Sequence, residues 1–244
     1  MELRLSIVIP ARNDAAALAR TLDHPDESGI ASAVEIIVGA SGDRDGTVAA
    51  VRHRAQIVWP DGSTRAALMN AGAAVATGDV LFFLHADSLP PTDAVALIEL
   101  ALQDVTVVGG AFEHLFDERE WSLRAISYIN RVRYRLTRNY YGDQGLFVRT
   151  EAFGRLGGFR DWALMEDLDL SQRLKRVGRT VLVRAPLRTS GRRFLSRGPW
   201  RTLSFIAWLL LRHGIGLDTQ RYADRWRGPV DRPPGSAWRE RRAP

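Results

Sequence analysis

Two spacings of apolar residues alternate along the first part of the chain. Continuous apolar runs at 3–9 (LRLSIVI), 34–40 (VEIIVGA), 55–60 (AQIVWP) and 80–84 (VLFFL) read as strands, the longer ones apolar on both faces and so buried on both sides. Between them, 15–22, 47–54 and 63–78 repeat apolar residues every three or four positions and read as helices. Asn13 or Asp14 can cap the first helix, and Gly78 is placed to end the third. Strand and helix in strict succession predict a parallel, doubly wound sheet with right-handed crossovers.

The pattern then changes. A helix over 93–102 is followed by VTVVGGAFEHLF (105–116), a strand pair or one bent strand. Apolar positions 121, 123, 126, 128, 129, 132, 134 and 136 fit a helix over 119–138. YYGDQGLFVRTEAF returns as a turn and strand, and WALMEDLDLSQRLKRVG is a helix stopped by Gly178. A last helix near 199–213 precedes an end rich in Pro, Gly and Arg. The expected organisation is one α/β domain over 1–198, with an amphipathic helix and Arg-rich tail over 199–244 packed on it or extending from it.

Composition narrows the chemistry. The chain has 244 residues and no cysteine, which excludes disulfides, thiolate catalysis and cysteine-bound zinc. Its first ten residues read as a strand and not as a leader, so export is not expected. The apolar run Leu203–Leu211 is too short for a membrane span, which needs roughly 20 residues. Charge is lopsided: residues 184–244 hold fourteen Arg and four acids, while 1–183 carry a small net negative charge. A basic C-terminal end points to anionic partners or is a solvated tail, and no nucleic-acid motif accompanies it. The expected location is cytoplasmic. Peripheral contact at the inner face of the membrane, through PWRTLSFIAWLLLRHG, is a second reading.

Five polar clusters fall at strand ends or loops: Ser41–Thr47, His85–Asp87, Gly142–Gln144, Glu166–Asp169 and Arg192-Arg193. Loops at the C-terminal edge of such a sheet converge, so the clusters can share one cleft. Carboxylates, an amide and guanidinium groups suit a phosphorylated substrate with a divalent cation. Asp87 is a hard oxygen donor, and His85 two residues earlier lies on the same side of the chain. Each cluster also has a plainer reading: Asp87 as a cap for the next helix, His85 as a buried hydrogen-bonded histidine, and the MEDLD acids as residues favoured by a helix N-terminus.

In order along the chain, SIVIPARND, a loop ending DGT, MNAG and ATGD, FLHAD, GDQGLFVR, LGGF and MEDLDLSQRLKRVG resemble the family-2 glycosyltransferases of the GT-A fold. The resemblance covers roughly residues 4–195. It is nearest to a small subgroup associated with radical-SAM and arsenosugar or selenium-related genes, whose members carry HAD, GDQ and MED. It implies a Rossmann-like, mostly parallel central sheet flanked by helices, a small mixed second sheet and C-terminal helices.

It further implies a nucleoside-diphosphate sugar donor, a small-molecule or lipid acceptor, and Mn2+ or Mg2+ held by Asp87 with His85. Pro10, Arg12 and Asn13 would line the nucleoside pocket, with Ser41 and Asp43 on the second strand's loop. Arg65 and Ala86 would lie near the diphosphate, Asp143 and Gln144 near the sugar or acceptor, and Arg192 and Arg193 at the leaving diphosphate. Asp167 or Glu166 would be the base of an inverting transfer. Where the family has an aspartate after the second strand, this chain has Ala40-Ser41, with Asp43 three residues later. Nucleotidyl transfer to a sugar phosphate, and non-catalytic binding to an anionic membrane surface, are the alternatives.

Overall fold

In the computed structural model, residues 3–23, 34–51 and 54–227 are described. The expected alternation is present: strand β1 (Leu5–Arg12), helix α1 (Ala15–Asp23), β2 (Val34–Ser41), α2 (Arg44–Val51), β3 (Gln56–Val58), α3 (Arg65–Val75) and β4 (Val80–Phe83). Next come β5 (Ser88–Leu89), α4 (Ala94–Leu102), β6 (Val107–Phe116), α5 (Trp121–Thr137), a 3-10 turn at Gly142–Gln144, β7 (Leu146–Arg149) and α6 (Thr150–Arg155). The chain continues as α7 (Glu166–Val177), β8 (Arg179–Thr189), α8 (Arg192–Arg197), α9 (Pro199–Gly214), a 3-10 turn at Gln220–Tyr222 and α10 (Ala223–Arg227). The Arg-rich end beyond Arg227 lies outside the described residues.

The strands form one eight-stranded sheet in the order β3-β2-β1-β4-β7-β6-β8-β5. Pairs β1–β2, β2–β3, β1–β4 and β6–β8 are parallel, while β4–β7, β6–β7 and β5–β8 are antiparallel. The mixed part expected as a small second sheet is therefore the far half of the same sheet. From β1 the chain winds outward to β3 and then returns to β1's other side as β4. That reversal makes the C-terminal ends of β1 and β4 a topological switch point, where doubly wound sheets place ligands.

Strand β4 shows why the apolar run must sit here. Val80, Phe82 and Leu84 enter one core cluster, Leu81 and Phe83 the other, and all five are at most 3% exposed. Phe82 packs on Phe112 at 5.7 Å, and Phe83 meets Phe159 edge-on at 4.8 Å. A strand covered on both faces has no room for polar side chains until it leaves the sheet, so its chemistry collects at its end.

Two helix boundaries differ from expectation. Helix α3 ends at Val75 with Ala76 extended, three residues before Gly78. A Cβ at Gly78 would lie 2.6 Å from the Ser6 hydroxyl, so this glycine serves close strand packing and not a helix cap. Helix α2 begins at Arg44, so most of SGDRDGT is its first turn. The C-terminal segment packs through Phe205, Leu209, Tyr222, Ala223 and Trp226 against Leu164 and Met165. Among the described residues no helix is long and apolar enough to cross a membrane.

Candidate active site

Strands β1 and β2 end in register, Arg12 opposite Ser41, which sets Pro10, Arg12 and Ser41 side by side. The chain leaves β1 through Asn13 at φ 51°, a left-handed conformation that asparagine tolerates better than most residues. The Asn13 Oδ1 accepts the Asp43 N–H at 2.8 Å. Asp43 in turn accepts the Gly46 N–H at 3.0 Å, the contact of a helix cap. The Ser41 hydroxyl is buried without a hydrogen-bond partner. The five residues expected around a nucleoside thus lie together, with Asp43 already serving α2.

The turn after β4 separates its side chains by alternation. Thr21 Oγ1 holds the turn, donating to the Ala86 carbonyl at 2.5 Å. Ala86 drops into the core, whereas His85 and Asp87 remain half-buried. Asp87 does not cap the next helix, since Asp93 occupies that position. Burial pushes the Asp87 carboxyl up, Asp14 adds to the shift, and Arg192 and Arg193 oppose it. Asp14 itself lies 3.7 Å from Arg192 Nη2. Asp14 therefore belongs to the same edge.

Arg65 joins this edge to the acidic helix. It opens α3 behind Thr64, whose side chain accepts the Ala67 N–H at 3.0 Å. Its guanidinium approaches His85 Nε2 at 3.0 Å and Asp167 Oδ2 at 3.3 Å, and its Nε donates to Glu166 Oε1. Asp167 Oδ2 also accepts the Gly142 N–H at 2.7 Å. Arg65, expected beside a diphosphate, thus lies between the two candidate bases. Burial, followed by Arg65, Arg193 and His114, holds His85 well below the usual imidazole range. A neutral His85 facing an arginine N–H has Nε2 as its acceptor, which puts the ring proton on Nδ1.

The two acids are not equivalent. Glu166 is 1% exposed, and its Oε2 is buried without a partner. Its carboxyl is raised by burial, opposed by Arg65 and raised again by Asp167. Asp167 is 9% exposed. Asp169 faces elsewhere, paired with Arg160 at 3.1 Å and Arg173 at 2.7 Å. The helix start is held from behind: Met165 adopts φ 65°, and Gln220 Oε1 accepts the Ala163 and Leu164 N–H groups at 2.7 and 3.1 Å.

Gln144 is buried, and both ends of its amide bond to backbone. Its Oε1 accepts the Tyr141 N–H at 3.0 Å and its Nε2 donates to the Phe112 carbonyl at 3.1 Å, so it shapes the turn and does not project a free amide. Asp143 projects further and lies 3.7 Å from His114 Nε2. His114 is buried, 2.7 Å from the Thr189 hydroxyl, and the sequence analysis missed it. A single imidazole inside GGAFEHLF was the available signal. Burial pushes the neighbouring Tyr141 hydroxyl up to about 12, and Arg133 sits 3.7 Å from that ring's centre.

Among the described residues no three His, Asp or Glu side chains form a metal cage. A divalent ion at Asp87 still fits: the carboxylate is destabilised by burial beside Asp14, and Mg2+-type ions use one or two carboxylates together with substrate phosphates and water. His85 is less available, because Arg65 occupies its Nε2. A cleft of about 540 Å3 lies elsewhere, lined by Arg160, Trp162, Arg176 and His213, and contains none of the strand-end residues.

A family model described as Glycosyl transferase family 2 matches residues 6–160. Among solved structures, the chain is similar to the mannosyltransferase PcManGT from Pyrobaculum calidifontis, in complex with GDP-Man and Mn2+, at TM-score 0.60 and 21% identity. That match covers 78% of this chain but only 57% of the other. Mannosyl-3-phosphoglycerate synthase from Rubrobacter xylanophilus matches at TM-score 0.55 and 17% identity, covering 89% of this chain and 77% of the other. Glucosyl-3-phosphoglycerate synthase from Mycobacterium tuberculosis, solved with Mn2+, UDP and glucosyl-3-phosphoglycerate, matches at TM-score 0.55 and 18% identity, covering 75% and 70%. At these identities the likeness is one of fold. No curated protein matches the chain.

Proposed function

The chain belongs to glycosyl transferase family 2, and on that premise we propose that it moves a sugar from a nucleoside diphosphate to an acceptor hydroxyl, with inversion, at the C-terminal edge of β1 and β4. The observation that carries this reading is the guanidinium of Arg65. It touches His85 at the end of β4 and both acids at the start of α7, so a phosphate-binding strand end and a base stand within one side chain's reach. The HAD, GDQ and MED stretches also agree with the small subgroup named above.

Asp167 is the base. A base must reach the proton that it removes, and Glu166 is sealed behind Arg65 while Asp167 keeps some exposure. The Gly142 N–H and Arg65 orient Asp167 Oδ2. Asp167 takes the acceptor's hydroxyl proton, the hydroxyl oxygen forms its bond to the anomeric carbon, and the bond from that carbon to the diphosphate breaks on the opposite face. Arg192 and Arg193 face the departing charge from the start of α8, where fixed cations stabilise a developing anion. Asp87 would hold a divalent ion, Mn2+ or Mg2+, whose charge would help neutralise the leaving group. His85 acts by fixing Arg65. Pro10, Arg12, Asn13 and Ser41 form the nucleoside side; Asp143 faces the sugar or acceptor. Solved neighbours that contain GDP-Man, UDP and Mn2+ support a donor of this class.

The test is a panel of UDP-, GDP- and dTDP-sugars with Mn2+, read as release of nucleoside diphosphate. Asp167→Asn should lower turnover about 10^2- to 10^4-fold with little change in melting temperature. Release of pyrophosphate instead, or full turnover by Asp167→Asn, refutes the assignment.

A further inference from the structure

Helices α5 and α9 are amphipathic, yet each shows solvent an apolar stripe. On α5, Trp121, Tyr128, Val132 and Leu136 recur at helical spacing and are 73%, 65%, 42% and 80% exposed. On α9 Trp200, Trp208 and Leu211 repeat the pattern, continued by Ile215 just past its end, and only Thr202 and Leu209 of its sixteen residues are buried. The helices touch, and Trp121 meets Trp200 with ring centres 5.8 Å apart, which joins the two stripes at their N-terminal ends. Scattered apolar residues on a surface are ordinary. A contiguous patch of this kind marks a surface that binds something.

Charge indicates what. Neither helix contains an acid, and together they carry Arg124, Arg131, Arg133, Arg135, Arg201 and Arg212. Arg131 and Arg135 also pair with Glu113, while Arg124 and Arg201 stand exposed beside the patch. A second copy of this chain would oppose arginine to arginine, which is repulsive. An anionic bilayer complements both features, since tryptophan and leucine enter the headgroup boundary while arginine meets lipid phosphate. At sixteen residues α9 is too short to span a bilayer but can lie along one.

We propose that the joint α5–α9 face docks the protein on an anionic lipid bilayer. The proposal stands on exposure and charge and is independent of sugar transfer.

The experiment is co-sedimentation of the full chain with vesicles of phosphatidylcholine alone and of phosphatidylcholine mixed with phosphatidylglycerol. The expected result is binding to the anionic vesicles, weakened by salt, with little binding to the neutral ones. Trp208→Ser/Leu211→Ser and Val132→Ser/Leu136→Ser should each abolish it, and Arg124→Gln and Arg201→Gln should each weaken it about fivefold. Val132, Leu136 and Leu211 are exposed while Trp208 also packs on Phe205 and Tyr222, so an unchanged melting temperature, required of each serine pair, separates lost docking from lost folding. Failure to bind anionic vesicles, equal binding to neutral ones, or undiminished binding by both serine pairs overturns the proposal. So does concentration-dependent self-association that the serine substitutions remove.

Discussion

Replacing Arg65 by Met removes the side chain that compensates Glu166. That carboxylate is 1% exposed, with one oxygen on Arg65 and the other unpartnered. Removing one member of a buried pair costs about 3–5 kcal/mol, because the remaining charge stays out of water. Arg65 is 37% exposed, so solvent can replace part of what it provides, and the lower end, about 3 kcal/mol, is the working value. For a chain of this size that corresponds to a melting temperature lower by about 6–12 °C. The loss has a definite pH dependence. Burial already raises the Glu166 carboxyl above its ordinary 4.5, and Arg65 holds it down against that rise. Without Arg65 the folded-state value climbs further. A carboxyl with a folded value above its unfolded one destabilises as pH rises through that interval, so the deficit should be small near pH 4 and grow toward pH 8. Urea unfolding across this range measures it, with matched slopes as the check on two-state behaviour. Arg65→Met/Glu166→Gln should recover most of the loss at pH 8. A pH-independent deficit, or a double variant as unstable as the single one, would refute the reasoning.

Asp87→Asn should raise the melting temperature of the ligand-free protein, because burial makes this carboxylate costly when charged. It should also remove the stabilisation that a nucleotide sugar with Mn2+ confers; a lower ligand-free melting temperature, or an undiminished shift, counts against the cation site. Gly142→Ala puts a Cβ 2.5 Å from His85 Nε2 and 3.2 Å from Asp167 Oδ2. Steady-state kinetics should show turnover reduced about a hundredfold, the scale for displacing a catalytic group by about 1 Å, with most of the loss in kcat. An unchanged kcat would show that the turn is not coupled to the base.

Much of the site could be read from the chain because strand ends announce themselves. VLFFL cannot accept a polar residue while covered on both faces, so His85 and Asp87 had to mark its exit, and period two put them on one side with Ala86 opposite. The acids of MEDLDL were equally visible, since Leu168, Leu170 and Leu174 pin the helix and leave Glu166 and Asp167 at its start. Less visible was β8. RTVLVRAPLRT has arginines and Pro186 within it and shows no clean alternation, yet it pairs with β6 along most of its length. His114 was hidden for a related reason: its partners Thr189 and Asp143 come from segments far away in the chain.

The sequence by itself determined which segments could be strands or helices, and where polar groups could leave the sheet, because burial on one or both faces leaves a periodic record in consecutive residues. It could not decide which of those groups oppose one another. That Arg65 lies between Glu166 and Asp167, that Gln144 bonds to backbone, that Asp14 faces Arg192, and that Trp121 of α5 meets Trp200 of α9 were all decided by tertiary packing. Such contacts join residues far apart in sequence, and the free energy of each pair depends on burial and distances that no local pattern contains.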